Sequence, residues 1–155
     1  MFQPQYFNVH WYGPHSFDDA EVLDDQNLVL YMICGTHGIY GKNTPLYIGK
    51  TFRTPYKRLG EHKWIENEPD PVQVYAAAIS KPFQAWSEIE HDEEYPAPEN
   101  SIIEKVESLI IFAHQPLYNS RSKGGSQTVN NDIVIFNTGR HSILLPEISS
   151  MYWYG

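Results

Sequence analysis

A run of β-branched and aromatic residues at positions 27–33 (NLVLYMI) most constrains the fold, because it indicates a buried strand that must be paired. The Gly-rich connection CGTHGIYGKNTP follows it. Residues 46–49 (LYIG) then form a second short apolar run. Together the two runs predict a β-hairpin.

Helical and extended patterns follow the hairpin. Thr54 and Pro55 favour a helix start, since Thr can cap free amides and Pro is tolerated in the first turn, and the helix is expected over residues 56–65. Residues 72–80 (VQVYAAAIS) predict a third strand. Residues 83–90 have a weak helical pattern.

The last third of the chain predicts one long helix and two strands. Ser101 and Glu104 form a capping-box pattern, apolar residues with the 3.6-residue period follow, and Pro116 ends the helix. Residues 132–136 (DIVIF) and 142–145 (SILL) predict strands. The resulting order, β-β-α-β-α-α-β-β, predicts an α/β (α+β) fold with a small mixed, largely antiparallel sheet flanked by helices. The aromatic segment before residue 27 and the C-terminal hairpin are expected to be extensions of this core, and the aromatic residues at both ends are interpreted as strand residues that complete the sheet.

Length and composition favour one ordinary globular domain, since the 155 residues are 41% hydrophobic and 19% charged. No apolar run approaches the roughly 18 residues that cross a bilayer. The N-terminal segment has neither the basic start nor the apolar core of a secretory signal. The single cysteine, Cys34, suits a reducing compartment, and a cytoplasmic protein without membrane contact is expected.

The charge is unevenly distributed. The net charge of −8 argues against nucleic-acid binding if it is considered as a whole, but five of the eleven Lys and Arg residues lie between Lys50 and Lys63. Acidic residues concentrate at positions 88–94. Two interpretations stay open at this point: a basic patch on an acidic body, or two solvated faces of opposite sign.

Three stretches, taken in order, resemble the GIY-YIG nuclease superfamily: residues 29–33 (VLYMI), 46–62 (LYIGKT followed by RLGEH) and 107–119 (ESLIIFAHQPLYN). They span about ninety residues, and the third resembles the N-terminal nuclease domain of the incision enzyme of excision repair. The resemblance implies a metal-dependent endonuclease with the fold described above.

The first motif departs from the family pattern. A literal GIY stands at residues 38–40, but it lies only seven residues before Tyr47, which is too close for both tyrosines to lie on paired strands with a normal turn between them. We therefore place the family's first tyrosine at Tyr31, where the glycine of the motif is absent, and expect residues 38–40 in an enlarged hairpin loop.

Two phenols and a lysine are the first candidates for chemistry. Tyr31 and Tyr47 are expected on adjacent strands, where paired side chains lie within about 5 Å. The resemblance suggests that Tyr31 activates a water. Since a free phenol has a pKa of about 10, the site must lower it, and Lys50 and Tyr47 are the candidates for that role.

Arg58 and His62 are four residues apart, so one helix would present both side chains on one stripe. The guanidinium fork suits a phosphate oxygen, and the imidazole could relay a proton or, with Arg58, hold the phosphate. The R-x-x-x-H spacing after YIG is similar to that of restriction-type members of the family.

Glu107 is the candidate metal ligand, because helical geometry places it at the edge of the apolar face and Glu104 on the far side. One carboxylate with waters and a substrate phosphate is a usual way to hold Mg²⁺, and Mn²⁺ would serve as well. Asn119 is expected to close the site by a hydrogen bond to a tyrosine or to Glu107.

The sequence thus predicts an endonuclease that hydrolyses phosphodiester bonds in DNA. An inactive nucleic-acid-binding or protein-interaction module with the same fold is the alternative. A homodimer or a partner chain would supply specificity, since no recognition domain is visible. The basic residues expected to contact the nucleic acid are Lys50, Arg53, Lys57, Lys63, Arg121 and Lys123.

Overall fold

The computed structural model describes residues 4–89, 95–120 and 133–150. They form one six-stranded sheet in the spatial order β3-β2-β4-β1-β5-β6, in which all neighbours are antiparallel except the parallel pair β1 and β5. The predicted fold class, a mixed and largely antiparallel sheet with flanking helices, is confirmed. The strands are β1 Gln5–Ser16, β2 Leu30–His37, β3 Gly41–Lys50, β4 Gln73–Ile79, β5 Ile133–Gly139 and β6 Glu147–Ser149; the helices are α1 Pro55–Leu59 and α2 Asn100–His114.

The predicted hairpin is formed by β2 and β3. β2 begins three residues after its predicted start and ends four residues after its predicted end, and β3 extends beyond the predicted strand at both ends. Tyr31 pairs with Gly49, and Ile33 pairs with Tyr47. The literal GIY at residues 38–40 lies in the connecting turn, where the side chains are exposed. Its predicted position in the hairpin loop is confirmed.

The N-terminal segment is a strand of the sheet, as its aromatic residues indicated, but it lies in the centre of the sheet and is not an extension of the core. β1 lies between β4 and β5, and the aromatic side chains of Phe7 and Trp11 are buried. Its apolar residues Phe7, Val9 and Trp11 alternate with the polar Asn8 and His10, as expected for a strand, and the side chains of Asn8 and His10 are bonded to Thr138 of β5. The predicted strand order was therefore incomplete.

Two predicted helices are shorter than expected. The helix predicted over residues 56–65 ends at Leu59, and a separate 3₁₀ turn follows at Lys63–Asn67. Thr54 occupies the N-cap position of α1, but its hydroxyl makes no capping bond. The helix predicted over residues 83–90 is only a 3₁₀ turn at Trp86–Glu88 within the described part.

Two predictions for the last third of the chain were also wrong. Glu99 occupies the N-cap position of α2 without a side-chain bond, so Ser101 lies inside the helix and no capping box with Glu104 forms. Residues 142–145 are a turn, and the final strand lies after Pro146, at Glu147–Ser149. The long helix itself, and its end before Pro116, are as predicted.

Each face of the sheet is covered by a separate apolar layer. On one face α2 packs Val106, Leu109 and Ile110 in a cluster that includes Met32 and Ile48. On the other face α1 and the 3₁₀ turns bring their apolar residues to a cluster that includes Tyr31, Ile33, Leu46, Leu59 and Ile65. Among the described helices, neither has the combination of length and apolarity that a bilayer crossing requires.

Candidate active site at the edge of the sheet

The candidate site is a cleft of about 450 Å³ at β3, which forms one edge of the sheet. Side chains alternate along this strand, so Tyr47 and Gly49 point to the α1 face while Ile48 and Lys50 point to the α2 face. The predicted site residues therefore meet around the edge strand and do not share one face. The residues that line this edge cleft include Tyr47, Lys50, Arg53, Arg58, Glu107 and Asn119.

Tyr31 lies behind the cleft wall, in contact with His62. Its hydroxyl is 2.6 Å from Nε2 of His62, and its ring centroid is 5.9 Å from that of Tyr47. Tyr31 is fully buried, whereas Tyr47 lines the cleft. The two predicted phenols are thus brought together, but Tyr47 is the one that faces the cleft.

Gly49 makes the position of Tyr31 feasible. A Cβ added at Gly49 would lie 2.5 Å from both Cζ and Oη of Tyr31 and 2.8 Å from Cε1 of Tyr47. The phenol of Tyr31 therefore crosses over the glycine of the YIG motif, where any larger residue would displace it.

The environment of Tyr31 keeps the phenol neutral. Burial raises its pKa far above the usual value of 10, the nearby Tyr47 adds to the rise, and the guanidinium of Arg58 opposes it. The prediction that the site lowers this pKa, with Lys50 and Tyr47 as the tuning groups, is therefore wrong for the structure as it stands. The cation that acts on Tyr31 is Arg58.

His62 reaches Tyr31 from a turn and not from a helix. α1 ends at Leu59, and the backbone N–H of His62 donates to the carbonyl of Leu59 at 3.1 Å. The prediction that one helix presents Arg58 and His62 on the same face is thus wrong. Burial lowers the pKa of His62, and Arg58 lowers it further, so the imidazole is neutral at pH 7 and can accept the hydroxyl proton of Tyr31.

Arg58 lines the cleft, but in this structure its guanidinium is paired with Glu61. The second oxygen of the same carboxylate accepts a bond from Arg53. These two arginines hold the pKa of Glu61 below its ordinary value, so the group is ionised at neutral pH. Glu61 was not among the predicted site residues, although its position three residues after Arg58 is a recognisable ion-pair spacing on one helical turn.

Glu107 lies at the cleft on the α2 side, and its side chain is only 14% exposed. Its Oε1 is 3.6 Å from Nζ of Lys50, which is also 3.8 Å from Oε1 of Glu104. Burial raises the pKa of Glu107, and the ammonium of Lys50 opposes the rise. The predicted edge position of Glu107 is confirmed, but Glu104 also turns toward Lys50 and does not lie on the far side.

The fit of a metal ion rests on Glu107 alone. No group of three or more His, Cys, Asp or Glu side chains that could hold an ion occurs within residues 4–89, 95–120 and 133–150. A largely buried carboxylate turned into an open cleft suits Mg²⁺, which keeps most of its waters and takes the rest of its ligands from a phosphate.

Asn119 closes the cleft differently from the prediction. Its amide is bonded at both ends to the backbone of Ile48: Nδ2 donates to the carbonyl at 2.8 Å, and Oδ1 accepts from the N–H at 2.9 Å. It contacts neither a tyrosine hydroxyl nor Glu107 through these bonds. Asn119 therefore seals the free edge of β3 and holds the segment after α2 against it.

The basic residues divide into three groups. Lys50 and Arg53 line the cleft. Lys57 and Lys63 are exposed on α1 and the following turn, outside the lining of the cleft. Arg121 and Lys123 lie outside the described residues.

Taken together, the edge cleft and its wall contain a neutral phenol–imidazole pair, two arginines, a lysine and a carboxylate. This set can remove a proton from water, neutralise a charged phosphate and hold a divalent ion. Comparison of the chain with known protein families, with curated proteins and with solved structures found no match.

Proposed function

We propose that the protein is a metal-dependent endonuclease of the GIY-YIG type that hydrolyses phosphodiester bonds in DNA. One observation carries the proposal: residues from three stretches that lie far apart in the sequence line or back a single cleft around β3. The lone and buried Cys34 suits the cytoplasmic setting that this function implies.

Water activation falls to the phenol–imidazole cluster of Tyr47, Tyr31 and His62. Tyr47 faces the cleft, and the buried Tyr31 is bonded to the neutral His62, which is the proton acceptor of the pair. A proton of the water passes through the hydroxyls of Tyr47 and Tyr31 to Nε2 of His62, the water oxygen attacks phosphorus, and the bond from phosphorus to the leaving oxygen breaks. The leaving oxygen then takes a proton from solvent.

Arg58 supplies positive charge to the phosphorane, on which negative charge accumulates during the attack. Its guanidinium lies at the cleft wall and close enough to Tyr31 to oppose the rise of the pKa of that phenol. To bind phosphate, Arg58 must exchange the carboxylate of Glu61 for a phosphate oxygen.

Glu107 would hold Mg²⁺ or Mn²⁺, with waters and a phosphate oxygen as the other ligands. When bound, the ion stabilises charge on the leaving oxygen. Lys50 competes with the ion for the same carboxylate, and Glu104 lies within reach to receive the displaced ammonium.

The test is strand cleavage of supercoiled plasmid and of a labelled single-stranded oligonucleotide. At least one of these substrates should be cut in Mg²⁺ and left intact in EDTA, and Arg58→Ala should abolish cutting while the protein stays folded. Cutting that persists in EDTA, or in Arg58→Ala at the wild-type rate, would refute the proposed mechanism.

A second candidate function, nucleic-acid binding without turnover, is favoured by the Arg58–Glu61 pair and by the net charge of −8. In that case the chain should bind both substrates and cut neither in any divalent ion. The logarithm of the binding constant should fall with the logarithm of the salt concentration with a slope of a few units. The same assay therefore separates the two functions.

A further inference from the structure

Four aromatic rings form a continuous row that begins at the wall of the edge cleft. The ring centroid of Tyr47 lies 4.5 Å from that of His62 and 6.5 Å from that of Trp64, and Trp64 lies 4.6 Å from Tyr118. The proposed hydrolysis uses the first two rings. It gives no role to Trp64 and Tyr118.

Tyr118 is exposed and yet held in place. Its side chain is 44% exposed, but its backbone N–H donates to the carbonyl of Leu46 at 2.8 Å, and its hydroxyl donates to Oε1 of Glu68 at 2.7 Å. The two hydrogen bonds between the amide of the neighbouring Asn119 and the backbone of Ile48 in β3 fix the same segment. A ring that is ordered before a ligand arrives loses little further freedom on binding.

The position of the two rings relative to the cleft matters as much as their exposure. Tyr118 directly precedes Asn119, which lines the cleft, and the half-buried Trp64 packs beside Tyr47 in the cleft wall. Lys63, an exposed cation, directly precedes Trp64. Aromatic faces next to a cationic groove that follows the phosphates are the usual arrangement for binding unpaired nucleic acid.

We propose that Trp64 and Tyr118 form a stacking platform for an unpaired nucleobase next to the phosphate in the edge cleft. The inference rests on the proposed function and narrows its substrate to single-stranded nucleic acid, or to a strand with an unpaired nucleotide at the cut. Bases inside a duplex stack on each other and do not offer a free face to these rings.

The experiment compares binding of two labelled strands of equal length, oligothymidylate and an abasic strand with the same phosphates but no bases, by fluorescence anisotropy in EDTA. Wild-type protein should bind oligothymidylate more tightly than the abasic strand. Tyr118→Leu should weaken binding of oligothymidylate about 5- to 30-fold, as expected for the loss of one base–aromatic stack, and leave binding of the abasic strand unchanged.

Two controls keep the result specific. Tyr118→Phe keeps the ring and the backbone bond to Leu46 and loses only the bond to Glu68, so it should bind oligothymidylate within about twofold of wild type and more tightly than Tyr118→Leu. Tyr12→Leu removes a tyrosine that is similarly exposed, at 40%, and that also has an aromatic neighbour. Tyr12 lies on β1, three strands away from the cleft at β3. Tyr12→Leu should have no effect on either strand.

Failure of this inference is distinguishable from failure of the proposed function. Equal binding of the two strands, or an equal loss with Tyr118→Phe and Tyr118→Leu, overturns the platform alone, and cleavage in Mg²⁺ would still support the nuclease. No binding of either strand overturns the platform together with the proposed function.

Discussion

Two polar clusters of the sheet differ in how their groups are partnered. In the β1–β5 network, which comprises Asn8, Trp11, Asn137 and Thr138, neutral groups bond to one another inside the protein. Nε1 of Trp11 donates to Oδ1 of Asn137 at 2.9 Å, and the hydroxyl of Thr138 donates to Oδ1 of Asn8 at 2.9 Å. Asn8, Trp11 and Asn137 are at most 3% exposed.

The edge cleft contains charged groups whose partners can be exchanged. Lys50 lies between Glu104 and Glu107, and Arg58 is held by the exposed Glu61. Exposed ion pairs contribute little to stability, whereas a buried neutral hydrogen bond is costly to leave unmade. The comparison teaches that the neutral polar residues of the β1–β5 network maintain the fold, and that the charged residues of the edge cleft are available to a ligand.

The largest expected effect comes from a matched pair of acids on α2. Glu107→Gln should reduce cleavage about 100-fold or more, because it removes the carboxylate that would hold the ion, and should leave the melting temperature nearly unchanged. Glu104→Gln, at a 56% exposed side chain beside the same lysine, should change cleavage no more than about twofold. Equal losses in the two variants would show that charge around Lys50, and not a specific ligand, matters.

The β1–β5 network should respond in the opposite way. Asn137→Ala leaves the indole N–H of Trp11 and the carbonyl of Leu145 without their bonds, and should cost roughly 2–3 kcal/mol of unfolding free energy. Urea denaturation measures this loss. Cleavage by the remaining folded protein should be normal, and a selective loss of cleavage would contradict the division between the two clusters.

The sequence predicted the parts of this fold that depend on local pattern. The β2–β3 hairpin, β4 and α2 have strong apolar periodicity, and the structure contains all of them. The central position of β1 was not predicted, because its partners β4 and β5 are distant in sequence and local pattern does not show which strands pair.

The sequence predicted which residues form the site better than it predicted how they are arranged. Motif spacing brought out Tyr31, Arg58 and Glu107, and the structure brings these residues together. The burial of Tyr31 and the bond between Asn119 and Ile48 depend on tertiary packing that spacing does not encode. The role of each residue in catalysis stays a prediction.

The pH dependence of cleavage should distinguish the cleft from a passive surface. His62 must be neutral to accept a proton, and burial lowers its pKa below the ordinary 6.5. The rate, measured at saturating strand, should therefore stay level from neutral pH to somewhat below 6.5. It should then fall about tenfold per pH unit as the pH drops through the lowered pKa.

A second acidic limb is expected from Glu107, whose raised pKa means that it loses its charge at a higher pH than an ordinary glutamate. His62→Gln separates the two contributions. It should lower the rate and remove only the part of the acidic fall in rate that is caused by protonation of the imidazole. An unchanged profile in His62→Gln would exclude the imidazole as the proton acceptor.

The smallest expected effect tests the exchange of partners at Arg58. Glu61 is ionised at neutral pH and occupies both Arg53 and Arg58, so an incoming phosphate must compete with it. Glu61→Gln keeps the shape and removes the charge, and should tighten strand binding about two- to fivefold and steepen its salt dependence. Glu66→Gln, an exposed acid on the next turn, removes the same net charge and should have a smaller effect. If the two variants bind alike, the gain reflects net charge alone, and the carboxylate of Glu61 does not compete with phosphate for the two arginines.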